Sequence, residues 1–342
     1  MHKPSYLTLF HSGELHRRAD LLEQRLSKCV ICPRHCEANR LANVEGFCQS
    51  GHRPLVASHV AHFGEEPILV GSHGSGNIFF GSCNLRCVYC QNWQISHTQK
   101  GERPGEISFE QLADMMIDLQ NQGCHNINLV SPSHFVAQIM KALVLACEQG
   151  LRLPLVYNTN AYDDLETLKM LRGVIDIYLP DLKYANDQNA IKYSQAQNYQ
   201  AISRQAIQEM FNQVGLLKLD KQGLSQRGLI VRHLVLPNGL ADSRESLTWI
   251  AQNLSPQVNI SIMSQYYPTN KATRVPLLSR KIREHEYWEV VDLLEELKME
   301  NGFLQEFESA ETYRPDFKRN EPFDNMELLS LRAPKGEAIS SV

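Results

Sequence analysis

The run Asn77-Ile-Phe-Phe-Gly-Ser-Cys83-Asn-Leu-Arg-Cys87-Val-Tyr-Cys90-Gln-Asn-Trp93 decides how this chain is read. Ile78–Phe80 is a short apolar, aromatic stretch of strand type. Gly81-Ser82 breaks it, and three cysteines follow at once with the spacing Cys-x3-Cys-x2-Cys. A strand that opens directly into a cysteine loop places chemistry at the strand's C-terminal end, where parallel α/β folds carry their sites.

Working outward, the same kind of run recurs. Asn126–Val130, Leu155–Tyr157, Val174–Leu179, Leu229–Leu236 and Asn259–Ser264 are short and nearly continuously apolar. That pattern suits strands covered on both faces, as in a parallel sheet. Helical patterns lie between them. Ser108 with Gln111 is a capping-box pair, and Gly123 stops that helix. Gly150 stops the next, Asp242 with Glu245 predicts a second capping box, and a last helix is expected over His285 to Glu300 before Gly302. Six βα units in a row predict a parallel α/β architecture. An open or partial barrel and a doubly wound sheet both satisfy it, because strand order is not written in the sequence. The Gly- and Pro-rich stretch from Gly64 to Gly76 reads as loop, and Tyr184–Gln200, rich in Asn, Gln and Tyr, is expected to include loop.

The chain has 342 residues, 43% of them hydrophobic, which is ample for a packed core, and its formal net charge of −4 gives no global signal for nucleic acid. The start Met-His-Lys-Pro-Ser-Tyr-Leu-Thr has no signal-peptide pattern, and no apolar run approaches the roughly 20 residues of a membrane span. A soluble, cytoplasmic protein is the expectation. Three segments are expected: a cysteine-rich segment over 1–70, a core over 71–310 and a tail over 311–342, its last ten residues disordered.

Nine cysteines are the compositional anomaly, and seven fall in two tight groups. In a reducing compartment such groups read as metal ligands before disulfides. Cys147, inside Ala142-Leu-Val-Leu-Ala-Cys147, reads as core packing. Four-iron clusters normally take four thiolates. The loop Cys83, Cys87, Cys90 supplies three, with no further cysteine in the next thirty residues, so one iron is left open to an external chelator, as catalytic zinc sites leave a position for substrate. The amino and carboxylate groups of S-adenosylmethionine (SAM) can fill that position. An electron from the cluster then cleaves the sulfonium to a 5′-deoxyadenosyl radical that abstracts hydrogen. A zinc site is the competing reading and would need a distant donor such as His97. The other group, Cys29-x2-Cys32-x3-Cys36-x11-Cys48, can close either a structural zinc site or a second four-iron cluster.

The cysteine loop resembles that of the radical SAM superfamily, Cys-x3-Cys-x-aromatic-Cys, with Tyr89 at the aromatic position that in the family lies beside the SAM adenine. The longer run Asn77–Trp93 is similar to the branch related to pyruvate formate-lyase activating enzyme, and the resemblance covers roughly residues 25 to 270. It implies a partial (β/α)6 TIM-like barrel behind an N-terminal cysteine-rich segment. It also implies a [4Fe-4S] cluster, SAM, a reductant such as flavodoxin or ferredoxin, and hydrogen abstraction, with activation of a glycyl radical enzyme as the leading use. A small-molecule or peptide substrate is the alternative, and a non-catalytic iron–sulfur electron-transfer protein is a third reading. By the same resemblance the ends of the later strands line the SAM pocket. Val130-Ser-Pro-Ser-His134 stands where members often carry Gly-Gly-Glu, so Ser131 and Ser133 are candidates for the SAM amino group. Tyr157-Asn-Thr-Asn160 resembles the activase Asp-Thr-Asn-Gly, with Asn158 for the acid and Ala161 for the glycine, which puts a monovalent cation there in doubt. Asp181-Leu-Lys183 matches the activase Asp-x-Lys. Arg232, in Val231-Arg-His-Leu-Val-Leu-Pro237, is the candidate clamp for a carboxylate, with His233 on the opposite face as a packed or surface residue. At Ser264-Gln-Tyr-Tyr267 the activases carry a histidine that this chain lacks.

Overall fold

A computed structural model describes residues 3–97, 103–311, 314–319 and 322–323. The expected disordered end, 333–342, lies outside the described residues. Among the described residues nine strands and eleven α-helices run in this order: α1 Tyr6–His11, α2 Glu14–Gln24, β1 Val56–His62, α3 Pro67–Val70, β2 Ser75–Phe80, α4 Trp93–Ser96, α5 Phe109–Asn121, β3 Ile127–Val130, α6 Val136–Glu148, β4 Leu155–Thr159, α7 Leu165–Met170, β5 Ile177–Pro180, α8 Asp187–Ser194, α9 Tyr199–Val214, β6 Lys218–Leu219, β7 Ser225–Leu234, α10 Ser243–Asn253, β8 Asn259–Met263, α11 Glu284–Glu296 and β9 Gly302–Leu304.

The spatial order of the sheet is β1-β2-β3-β4-β5-β7-β8-β9, with β6 paired only to β7. From β2 to β9 every pair along that path is parallel. Strand order follows chain order without reversal, which excludes a doubly wound sheet, since that fold requires a switch point. The result is a partial, unclosed TIM-like barrel, as the βα alternation and the resemblance implied.

All six expected strands are present. β2, β3, β4 and β5 are buried at every position, which is why their sequences read as largely apolar without alternation. Val156, Ile177, Leu179 and Ile230 meet inside the barrel, and Leu69 of α3 packs against them. On the outer face α6 is buried along nearly its whole length between α2 and α5, so Cys147 is core, as expected. Phe317 and Phe323 set their rings 5.5 and 5.0 Å from that of Phe79 of β2.

Tyr184–Gln200 includes loop, as expected, at 184–186 and 195–198 on either side of α8. Three local expectations are corrected. Residues 64–76 are not all loop, since they hold α3 and the start of β2. The last helix stops at Glu296, and Gly302 opens β9 instead of ending a helix. Asp242 makes no capping bond: it enters α10 at φ 52°, and its carboxylate accepts from Asn189 Nδ2 at 3.4 Å. The Ser108–Gln111 box forms in both directions, at 3.2 and 2.8 Å. β1, which falls within the expected 1–70 segment, pairs antiparallel with β2 and so belongs to the same sheet.

Candidate metal centre

The cysteine loop leaves β2 through Gly81, where an added Cβ would stand 2.9 Å from Pro104 Cγ and 3.1 Å from Leu55 Cβ. Ser82 then turns the chain at φ 63° and donates its N–H to Ile95 O at 2.8 Å. The loop is pinned from across the barrel. Arg86 N–H donates to Ser194 O at 3.0 Å and Val88 N–H to Tyr193 O at 2.8 Å, so the end of α8 forms one wall. Asn84 Nδ2 donates to Tyr162 O at 2.7 Å, and Asn160 Nδ2 donates to Asn84 Oδ1 at 2.9 Å, so the loop after β4 forms another.

Each sulfur has a polar partner. Cys83 Sγ accepts from Leu85 N–H at 3.3 Å and Asn160 Nδ2 at 3.5 Å. Ser194 Oγ donates to Cys87 Sγ at 3.0 Å, and Cys90 Sγ lies 3.2 Å from Ser96 Oγ. Burial pushes the Cys87 thiol up to about 11 and the Cys90 thiol up to about 12, and it raises Cys83 as well. Without metal these groups keep their protons at neutral pH, so loading the site displaces protons. Lys183 provides the compensating charge. Burial alone would lower its pKa, but Asp181 and the surrounding thiol positions reverse this and hold it above the ordinary lysine value. Sulfurs ringed by hydrogen-bond donors and a half-buried ammonium fit an anionic iron–sulfur cluster. One zinc ion would need a further donor, and His97, the donor considered for it, is bonded to Asn270 at 3.0 Å.

Residues 77–214 match the family model described as the Radical SAM superfamily. This segment is similar to a radical SAM domain. It runs from β2 to the end of α9 and contains the loop, the Ser194 and Asn160 partners, and the Asp181–Lys183 pair. Two curated relatives come from Methanocaldococcus jannaschii. The uncharacterized protein MJ0674 is 28% identical over 84% of this chain and 80% of its own length, and the uncharacterized protein MJ0808 is 25% identical over 75% of each. Solved structures overlap more loosely. The FeFe-hydrogenase maturase HydG from Carboxydothermus hydrogenoformans is 12% identical with a TM-score of 0.45, over 66% of this chain and 51% of that one, so this chain spans about half its length. TYW1 with a lysine-pyruvate adduct is 8% identical with a TM-score of 0.44, over 68% of this chain and 78% of that one. The match is to the superfamily and does not single out the branch of pyruvate formate-lyase activating enzyme.

The matched segment brings most of the expected site residues to the C-terminal rim of the strands. Lys183 Nζ donates to Asp181 Oδ2 at 2.6 Å, with side-chain exposures of 15 and 23%, so the pair is half-sheltered instead of a solvated surface pair. Ser131 follows β3 at φ 61° and donates its N–H to Asn158 O at 2.9 Å. Ser133 is tied to Thr159 at 2.9 Å inside a buried network with Asp163 and Tyr157, so it is not turned to a ligand. Tyr89 is buried, with its hydroxyl donating to Tyr184 Oη at 2.7 Å and its ring against those of Tyr184 and Tyr266.

Arg232 is corrected in role. Its guanidinium forms a bidentate pair with Glu66 at 2.8 and 2.6 Å and also bonds Glu65, so its charge is already spent within the protein. Of the two places expected for His233, packed or surface, it takes the first: it is fully buried between Leu182 O and Ser243 Oγ, both at 2.8 Å. Sequence reasoning missed Asn84, Ser96 and Ser194, which hold the loop and its sulfurs. Ser194 lies 107 positions from the cysteine it serves, and no local pattern marks it. Beside the loop a cleft of about 430 Å³ is lined by Arg86, Trp93, His97, Gln195, Asn270 and Lys271.

Proposed function

We propose that this chain is a radical SAM enzyme that binds SAM at a [4Fe-4S] cluster on Cys83, Cys87 and Cys90 and abstracts hydrogen from a substrate. The observation that carries the reading is a loop of three donor-ringed thiols at the mouth of a partial barrel, on the cysteine spacing of the matched family. When bound, such a cluster supplies one electron to the SAM sulfonium and so yields a 5′-deoxyadenosyl radical. The protein's own part is to hold and shield. Asp181 and Lys183 face the thiol site with paired charge suited to SAM's polar groups, and Asn158 and Ser131 crown the neighbouring strands. The buried Tyr89, Tyr184 and Tyr266 cluster keeps water from the loop's inner side.

The electron would come from a low-potential one-electron carrier such as flavodoxin or ferredoxin, in the cytoplasm; among the described residues no helix is long and apolar enough to cross a membrane. A protein substrate, as in activation of a glycyl radical enzyme, is the narrower reading. The Asp181-x-Lys183 motif supports it. The engagement of Arg232 by Glu65 and Glu66 removes another of the matches on which it rested. Anaerobic protein incubated with dithionite and SAM is expected to release 5′-deoxyadenosine, measured by chromatography, and Cys87→Ala to abolish it. Absence of the nucleoside from iron-loaded wild type would refute the reading. Incubation with candidate glycyl radical enzymes, read by electron paramagnetic resonance, separates the protein substrate from a small one.

A further inference from the structure

Residues 25–55 form a segment with almost no regular structure, a single 3₁₀ turn at Arg40–Ala42. Its shape is nonetheless sharply defined. Cys29 N–H donates to Ala38 O and Glu37 N–H to Cys29 O, both at 3.1 Å, and Arg40 N–H to Leu26 O at 2.8 Å. Four non-glycine residues take left-handed backbone there: His35 and Glu37 on either side of Cys36, Asn43, and Gln49 after Cys48. Such conformations persist only where something over-determines them. The four thiols gather in one place: Cys32 feels the charges of Cys48 and Cys29, and Cys29 that of Cys36. Gly46 is needed because a Cβ there would fall 2.3 Å from Cys36 Sγ.

Two arginines point to what is missing. Arg40 is 1% exposed, donates to Gly51 O and His134 O, and sets Nη1 3.9 Å from Cys29 Sγ. Its Nη2 is buried with no partner. Arg34 lies over the Phe47 ring at 3.7 Å, donates Nε to Asn84 O at 2.9 Å, and its charge acts on both Cys32 and Cys83. Its Nη2 is likewise buried without a partner. Neither arginine pairs with a carboxylate among the described residues. A sheltered guanidinium without an anion is unfavourable, most of all for the fully buried Arg40. Neutral thiols cannot offset that, whereas four thiolates on a metal core form a net anionic group.

We propose that Cys29, Cys32, Cys36 and Cys48 bind a second, fully protein-ligated [4Fe-4S] cluster beside the SAM-binding loop. Iron is favoured over zinc by position: Arg34 reaches from this group to the SAM-binding loop, so a redox-active cluster here stands beside the one it would serve. The backbone supports a cluster in the same way at both loops: the N–H two residues on points at the sulfur, Ile31 to Cys29, Arg34 to Cys32 and Leu85 to Cys83. The two centres are joined through Arg34 and through Arg86, whose Nη2 donates to Phe47 O at 2.7 Å.

The test uses the full chain purified without oxygen. Wild type is expected to hold about eight iron and eight sulfide, two four-iron clusters. The Cys83→Ala/Cys87→Ala/Cys90→Ala variant is expected to keep about four of each. Zinc without sulfide in that variant, or no metal in a variant that melts like wild type, overturns the proposal. Should the variant not fold, wild type decides alone. After reduction and addition of SAM, one paramagnetic component should stay unchanged while another shifts, and Cys32→Ser/Cys48→Ser should remove only the unchanged one. A single component that shifts completely with SAM overturns this inference and leaves the proposed function standing. A single component that ignores SAM and is lost in Cys32→Ser/Cys48→Ser does the reverse.

Discussion

Replacing Arg232 with methionine separates the two roles this residue could have. In the structure its guanidinium serves two carboxylates, Glu65 and Glu66, and the three side chains are only 12, 8 and 5% exposed. Removing one side of such a pair leaves unpaired charge in a place with little solvent, a loss of about 3–5 kcal/mol. In a domain this large each kcal/mol shifts Tm by about 2 °C, so the variant should melt about 6–10 °C lower at pH 8. The sign with pH follows from Glu65. Burial alone would raise its pKa, but Arg232 more than offsets that and holds it below the ordinary carboxylate value. In wild type the associated stability is present above about pH 4.3 and is lost as pH falls through the depressed value. In the variant burial acts unopposed, Glu65 takes up a proton more readily when folded than when unfolded, and the penalty fades as pH falls. The gap between the two proteins should therefore narrow from pH 8 to pH 5 in melts followed by circular dichroism, and adding Glu65→Gln and Glu66→Gln should recover most of it. Affinity for SAM at neutral pH should change little. A variant that melts with wild type but loses SAM binding would show Arg232 to be a ligand clamp and refute this assignment.

Three other outcomes are expected. Cys90→Ala should lose the SAM-responsive cluster signal and release no 5′-deoxyadenosine while keeping the far-ultraviolet spectrum of the fold. Ser108→Ala, which removes the side-chain half of the capping box on α5, should cost about 1 kcal/mol in urea titrations. Burial pushes His233 down to about 4, so folding favours its neutral form. Its contribution is full above about pH 6.5 and is lost as pH falls toward 4, at about 1.4 kcal/mol per pH unit. His233→Gln should flatten that part of the urea-midpoint profile.

The parallel strands were legible because burial on both faces of β2 to β5 leaves a largely apolar signature without alternation, and the loop was legible because three thiols at fixed spacing have few uses. What was missed lay in tertiary context. Val56–His62 mixes Ser58, His59 and His62 with apolar residues, since most of β1 is only half-buried, and it shows no strand alternation. Gly302–Leu304 is too short to register. Asp242 has a capping residue's chemistry, but the chain enters α10 in a left-handed turn that aims the carboxylate elsewhere. Arg232 looks like an unspent cation in sequence, since Glu65 and Glu66 lie more than 160 positions away.

The central claim is an iron–sulfur cluster on Cys83, Cys87 and Cys90 with one iron open to SAM. Its most direct test is the paramagnetic resonance spectrum of the dithionite-reduced, anaerobic protein recorded with and without SAM. The structure predicts that SAM changes the g-values of the signal that disappears in Cys87→Ala. A spectrum from iron-loaded protein that is identical in both conditions would contradict it.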